Sequence, residues 1–276
     1  MRVLIVGEGK SGTTALMRSV ATEMDDPVEI FEPKTIETTD LQPESLVVKK
    51  LLLNWQKSEN RLLEDFDKRL LITRDPRDRI ISHLLYDAYN RAPQLPAERR
   101  ERWLEALQKK AENPTKHSVG WLINVWFRVS RADLLSHYVR ALDRGIAFQR
   151  RNGDSFHNVS YEDYVSGSFT GLNSYLDLSI EPGVVEGAES RVSRSKASGA
   201  WRNWFTRSDV NLFRPMTHRW LEETGGNLRD WKLEPAESLD PATSVDYVRT
   251  LFERVPEPPA ITKKKKIKKN AQKAPK

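Results

Sequence analysis

Cysteine is absent from the 276-residue chain. That excludes disulfides and thiolate metal sites. No apolar run approaches the roughly 20 residues that a membrane-spanning helix needs. Acidic residues are missing from the last fourteen positions, KKKKIKKNAQKAPK, which hold eight lysines. With those lysines set aside, the formal charge of +6 becomes −2, so the basic character belongs to a tail and not to the rest of the chain. Such a block reads as a solvated, disordered extension, with weak contact to a polyanion as its alternative use. Internal repeats are also absent. Met1 is followed at once by the apolar RVLIV, which leaves no room for a signal peptide. A cytoplasmic location is therefore expected.

Four short β-rich runs fall in the first third: RVLIV (2–6), PVEIFE (27–32), SLVVKK (45–50) and RLLITR (69–74). A fifth, FHNVSY (156–161), comes later. Helical patterns at 13–24, 59–67, 77–90 and 97–111 separate or follow them, and 118–150 has helical spacing throughout. Strands that alternate with helices predict an α/β fold, a mainly parallel central sheet with helices on both faces. The near-continuous apolar runs agree with a sheet buried on both sides. Residues 1–233 read as one domain, 234–255 as a linker with a short helix, and 256–276 as the lysine-rich tail.

One lysine is missing from where it would be expected. VGEGKSGTTAL (6–16) has the strand, glycine turn and helix start that present backbone N–H groups to an anion. The triphosphate-binding pattern is G-x-x-x-x-G-K-[ST]. Gly7, Gly12 and Thr14 fit it, but Thr13 stands in the lysine slot and the lysine comes earlier, at Lys10. The N–H groups of Gly12, Thr13 and Thr14 could hold an anion over the helix start, with Lys10 beside it. A second stretch, LLITRDPRDRIISHLLY (70–86), ends a strand at Arg74 and starts a helix at Pro76, with Asp75 as cap. Arg74 and Ser82 are candidate phosphate donors. A third, RSKASGAWRNWFT (194–206), with Arg191 just before it, gathers Arg191, Arg194, Lys196 and Arg202 around Gly199. Its donors could close over an anion.

In that order, the three stretches resemble the motifs of the sulfotransferases that use 3′-phosphoadenosine 5′-phosphosulfate (PAPS). That family's loop reads P-K-S-G-T-T, and residues 10–14 match it from the lysine onward. Its R-[ND]-P-[RK]-D-x-x-x-S motif matches Arg74, Asp75, Pro76, Arg77, Asp78 and Ser82. Its late motif, R-K-G-x-x-G-D-W-K-N-x-F-T, matches Arg194, Gly199, Trp201, Asn203, Phe205 and Thr206. VSYEDYV (159–165) is similar to its Y-E-D-[LY] segment. The resemblance covers roughly residues 1–206. It implies a P-loop-like sulfotransferase fold that binds PAPS, releases 3′,5′-adenosine bisphosphate (PAP) and needs no metal. Lys10, Ser11, Gly12, Thr13, Thr14, Arg74, Ser82, Arg194 and Lys196 are the implied cofactor-binding residues.

The departures are informative. Ser195, Lys196 and Ala200 replace a lysine, a glycine and an aspartate of the late motif. Many small-molecule members carry a catalytic histidine in a K-x-H segment on the third strand, whereas VVKKLLLN (47–54) has leucine there. The resemblance then points to Glu32, in EIFEPK (29–34), as the base beside Lys10, because carbohydrate-type members often use a glutamate and several have F-E-P at this place. A surface carboxylate paired with Lys34 is the plainer reading of Glu32. Lys49 or Lys50 could help bind the sulfuryl group, and His83 or His117 could line a cleft. Tyr86, Tyr89, Trp121 and Trp126 are either stacking surfaces for a sugar or core residues. The expected reaction is sulfuryl transfer to a hydroxyl or amine of a small-molecule or glycan acceptor, such as a carbohydrate or glycolipid. A nucleotide or small-molecule kinase and a non-enzymatic polyanion-binding protein are the competing readings.

The tail carries its own prediction. Its lysine-only composition offers almost nothing to bury. Deleting 256–276 should leave the melting temperature and any nucleotide affinity unchanged, while retention on a polyanion column should fall. A clear loss of melting temperature on truncation would refute this.

Overall fold

The computed structural model describes residues 1–181 and 197–254. Its centre is a parallel sheet of five strands: β1 (Arg2–Gly7), β2 (Val28–Phe31), β3 (Leu46–Leu51), β4 (Lys68–Thr73) and β5 (His157–Ser160). The spatial order is β2-β3-β1-β4-β5, with every neighbouring pair parallel. All five lie within two residues of the runs read from the sequence. Gly7 lies level with Leu51 of β3 and Ile72 of β4, so three strands end together. The chain leaves β1 toward β3 on one side and returns to β4 on the other. A crevice at the carboxyl ends of β1 and β4 follows from that reversal.

Among the described residues, ten α-helices accompany the sheet. They are α1 (Thr13–Glu23), α2 (Pro76–Arg91), α3 (Ala97–Glu112), α4 (Val119–Ser130), α5 (Leu134–Asn152), α6 (Tyr161–Ser166), α7 (Thr170–Leu176), α8 (Trp201–Trp204), α9 (Arg207–Glu223) and α10 (Val245–Glu253). The helical pattern at 59–67 forms a 3₁₀ helix at Lys57–Asp65. The long pattern at 118–150 is two helices. Arg131 breaks it with φ of 63°, the left-handed conformation that ends a helix, and its N–H closes α4 on the Phe127 carbonyl at 2.8 Å.

Alternation along the strands builds two apolar layers. Val3, Ile5, Val47, Leu70 and Ile72 pack against Leu16, Met17 and Val20 of α1 and Leu172 and Leu176 of α7. Leu4, Val6, Leu46, Val48 and Leu71 face Leu62, Leu63, Phe66, Phe148 and Phe156. A third cluster joins α2, α3, α4, α5, α9 and α10 around Trp103, Trp126, Trp201 and Trp220. Residues 234–254 run along this helical body. The Leu239 N–H donates to the Ala111 carbonyl at 2.8 Å, and Val245, Val248 and Phe252 join the same cluster.

The same alternation separates the two lysines of β3. Lys50 points to the face away from α1 and is fully buried. It donates to Glu59 at 2.7 Å and to the Lys34 carbonyl at 2.7 Å. Glu59 also accepts the N–H groups of Ile36 and Gln56. Lys50 is thus a structural cation, and the expectation that it helps bind the sulfuryl group is corrected. Removing one partner of a buried pair leaves a bare charge in the core. Lys50→Met should therefore cost about 3–5 kcal/mol in urea unfolding. A loss below about 1 kcal/mol would show that Glu59 is solvated.

Candidate active site

The loop after β1 is shaped by two tight contacts. A Cβ on Gly12 would lie 2.5 Å from the Tyr161 ring, and Gly12 has φ of +94°. Both conditions demand glycine. Gly12 is the N-cap of α1 and supplies no side-chain cap. The first N–H groups of α1 are therefore left without a capping side chain, which suits an anion. Lys10 has φ of 68° and its amino group lies 3.8 Å over the Tyr86 ring. Ser11 behaves differently from its neighbours. Its N–H and hydroxyl both turn inward to the Glu8 carbonyl, at 3.2 and 2.7 Å.

Arg74 ends just beyond β4. Its guanidinium donates to the Lys10 carbonyl at 3.1 Å and stacks on Tyr161 at 4.1 Å. It is almost fully buried, and its Nε has no partner among the described residues. Asp75 caps α2 as expected, accepting the Arg77 N–H at 2.8 Å, with Pro76 in the first turn. Glu162, from the YEDY segment, accepts the Asp75 N–H at 3.0 Å. Arg77 does not face the loop. It pairs with Asp75 and stacks on Trp201 at 4.0 Å.

Asp78 joins the second and third motifs, and sequence reasoning gave it no role beyond the match. Its carboxylate accepts the N–H groups of Gly199 at 2.5 Å and Trp201 at 2.9 Å. Burial raises its pKa, while the Arg74 charge and the two backbone donors oppose the rise. Arg194 and Lys196 lie outside the described residues.

On the other side of β1, Lys49 faces α1. Its amino group donates to the Thr14 hydroxyl at 2.7 Å and to Glu32 at 2.5 Å. Glu32 therefore pairs with Lys49 and not with Lys34. Glu32 sits just past β2 with φ of 51°. A cleft of about 780 Å³ brings together Lys10, Gly12, Thr13, Thr14, Glu32, Lys49, Arg74 and Ser82. His83, Tyr86, His137, Arg140 and Arg144 close its far wall from α2 and α5. Ser11, Tyr89, His117, Trp121 and Trp126 are not on the wall. Trp126 is buried and donates to Asp87 at 2.8 Å.

Sequence reasoning also missed Glu8. It is buried and accepts both arms of Arg144 at 3.1 and 3.0 Å. An acid directly before a phosphate-type loop was the available signal, but its partner is 136 residues away.

His83 is held neutral. Burial pushes its pKa down to about 3, with Arg79, His137 and Lys10 adding positive charge. An unfolded chain takes up a proton at the ordinary 6.5, and the folded chain does not until about 3. Stability is thus lost as the pH falls from about 6.5 toward 3. In His83→Asn, the melting temperature should fall less than in the wild type over that range. Equal falls would place the acid sensitivity elsewhere.

No protein-family model and no curated protein matches the sequence. Among solved structures, that of mouse sulfotransferase SULT7A1 complexed with PAP is similar, with a TM-score of 0.50 and 14% identity. The match covers 91% of this chain and 88% of that one. None of the described helices is long and apolar enough to cross a membrane. With its five parallel strands, its crevice at the strand ends and this match, the chain has the fold of a sulfotransferase.

Proposed function

We propose that the protein is a PAPS-dependent sulfotransferase that moves a sulfuryl group to a hydroxyl or amine of an acceptor. The observation that carries this reading is the bridge made by Lys49. It holds a carboxylate, Glu32, to the first turn of the helix that follows the Lys10 loop. A candidate base and a candidate anion cradle then share one cleft.

The residues fit a nucleotide bearing two phosphate positions. The uncapped start of α1, Lys10, Thr13 and Thr14 would hold the 5′-phosphate. The Thr14 hydroxyl accepts from Lys49 and keeps its own proton to donate. Arg74, with an unpartnered buried Nε, and Ser82 would hold the 3′-phosphate. Gly12 contributes its N–H, and Ser11 fixes the loop by spending both donors on Glu8. The motif resemblance adds Arg194 and Lys196 to the residues that would hold the 3′-phosphate.

PAPS supplies the sulfuryl group. Glu32 takes the acceptor's proton as the new S–O or S–N bond forms. Lys10 and the loop N–H groups stabilise charge on the departing 5′-phosphate oxygen, and PAP leaves. The Lys49 charge keeps Glu32 in place. No step calls for a metal. A carbohydrate or glycolipid acceptor is favoured by the F-E-P segment and by leucine where a histidine base is expected. A cytoplasmic location belongs to the same reading.

Three measurements test it. At about 100 Kd, PAP without metal should stabilise the fold by roughly 2.7 kcal/mol. Greater stabilisation by ATP–Mg²⁺ would favour a kinase instead. Arg74→Ala should weaken PAP binding by about 1.5–3 kcal/mol, the range for hydrogen bonds to charged groups. Glu32→Gln should lower kcat by about 10²-fold or more and leave PAP affinity nearly unchanged. Normal turnover in that variant would remove Glu32 as the base. Lost PAP binding would make Glu32 a support of the loop.

A further inference from the structure

Glu8 is a single carboxylate facing two guanidiniums. Arg144 takes both of its oxygens, and the Arg79 Nη1 stands 3.8 Å from one of them. Arg79 is 2% exposed. Its Nε and Nη2 have no hydrogen-bond partner among the described residues. The faces of Tyr138 and Trp220 lie 5.4 and 5.7 Å from its Cζ. Other acids near this wall are engaged: Asp87 with Arg91 and Trp126, and Asp75 with Arg77. One positive charge is therefore left over in a buried place, where an uncompensated ion costs several kcal/mol. Behind it, a void of about 10 Å³ touches Arg79 and Gln149. That is room for at most one water, which could satisfy an N–H but not a charge.

Arg79 also lines the main cleft. It precedes Ser82 by three residues and His83 by four on α2, so the three share a helix face. Lys10, Arg79 and His83 line the same cleft.

We propose that Arg79 is a further donor-binding residue, whose guanidinium holds the anionic oxygens of the sulfuryl group while Lys10, Arg74 and Ser82 hold the two phosphates. This rests on the sulfotransferase reading. The charges of the cleft divide accordingly. Lys49 is paired by Glu32 and Arg144 by Glu8, whereas among the described residues Arg79 has two buried donors to spare and Arg74 one.

PAP lacks the sulfuryl group and PAPS carries it, so the pair isolates the contact. The full-length chain and its Arg79→Met and Arg79→Lys variants are titrated with each by calorimetry. In Arg79→Met, PAPS affinity should fall by about 10-fold or more, as for loss of one charge-assisted contact, with PAP affinity little changed. Arg79→Lys should recover part of the difference. Parallel losses for both ligands, or no loss for either, would make Arg79 only the structural partner of Glu8 and overturn the proposal. If Arg79→Met fails to fold, Glu8→Gln/Arg79→Met removes both buried charges together. The same PAPS-selective loss is expected there, and wild-type affinity for both ligands overturns the proposal. A wild-type chain that binds neither nucleotide would remove the sulfotransferase reading itself, and this proposal with it.

Discussion

Lys49 is 2% exposed, on an inner strand of a parallel sheet. A cation in that position is tolerable only if nearby oxygens replace its water. Thr14 and Glu32 do so, and the Phe31 ring lies 3.8 Å beneath. The consequence is geometric. Three separate elements, the end of β2, the end of β3 and the start of α1, are tied at one nitrogen. Because Lys49 alternates with Lys50, the strand sends one charge into the cleft and the other into a closed ion pair on the opposite face. Two adjacent identical residues thus have unrelated jobs, decided by the pleat alone.

The opposite half of the cleft depends on carboxylates. Asp78 receives two backbone N–H groups from residues more than 120 positions later. Glu162 receives one from Asp75, and Glu8 anchors α5 through Arg144. Glu162 and Glu8 each fix a segment that brings cleft residues with it. The acids therefore position the cations. That division explains how a cleft rich in lysine and arginine can be preorganised without its charges pushing the elements apart.

The strands, α1, α2 and α3 were legible in the sequence because their signals are local: apolar runs, a proline in the first turn, a glycine before a helix. The loop and the start of α2 were legible for the same reason, since each is a contiguous stretch. The break at Arg131 was not, because a non-glycine residue in a left-handed conformation leaves no mark in an apolar periodicity. The pairing of Glu32 with Lys49 in place of Lys34 was hidden too, because it needs the register of β2 on β3. Phe31 lies level with Lys49 there, and that level is set by the sheet. Glu8 with Arg144, and Asp78 with Gly199, are joined across 136 and 121 residues. No spacing rule reaches that far.

Backbone strain gives an independent view of the same cleft. Among the described residues, five that are not glycine have positive φ: Lys10, Asp26, Glu32, Arg131 and Asp177. Each such conformation costs of order 1 kcal/mol and persists only where its surroundings enforce it. Three of the five line the cleft, and two of those are the lysine and the glutamate to which the sequence assigned chemistry. The enforcing contacts are visible in both cases. The Lys10 carbonyl is held by Arg74, and the Glu32 N–H donates to the Lys49 carbonyl at 2.9 Å while its carboxylate returns to the Lys49 amino group. Lys10 and Glu32 are thus each clamped by a residue that itself faces the cleft. Strain is concentrated where two side chains must leave strand ends and turn toward a common point.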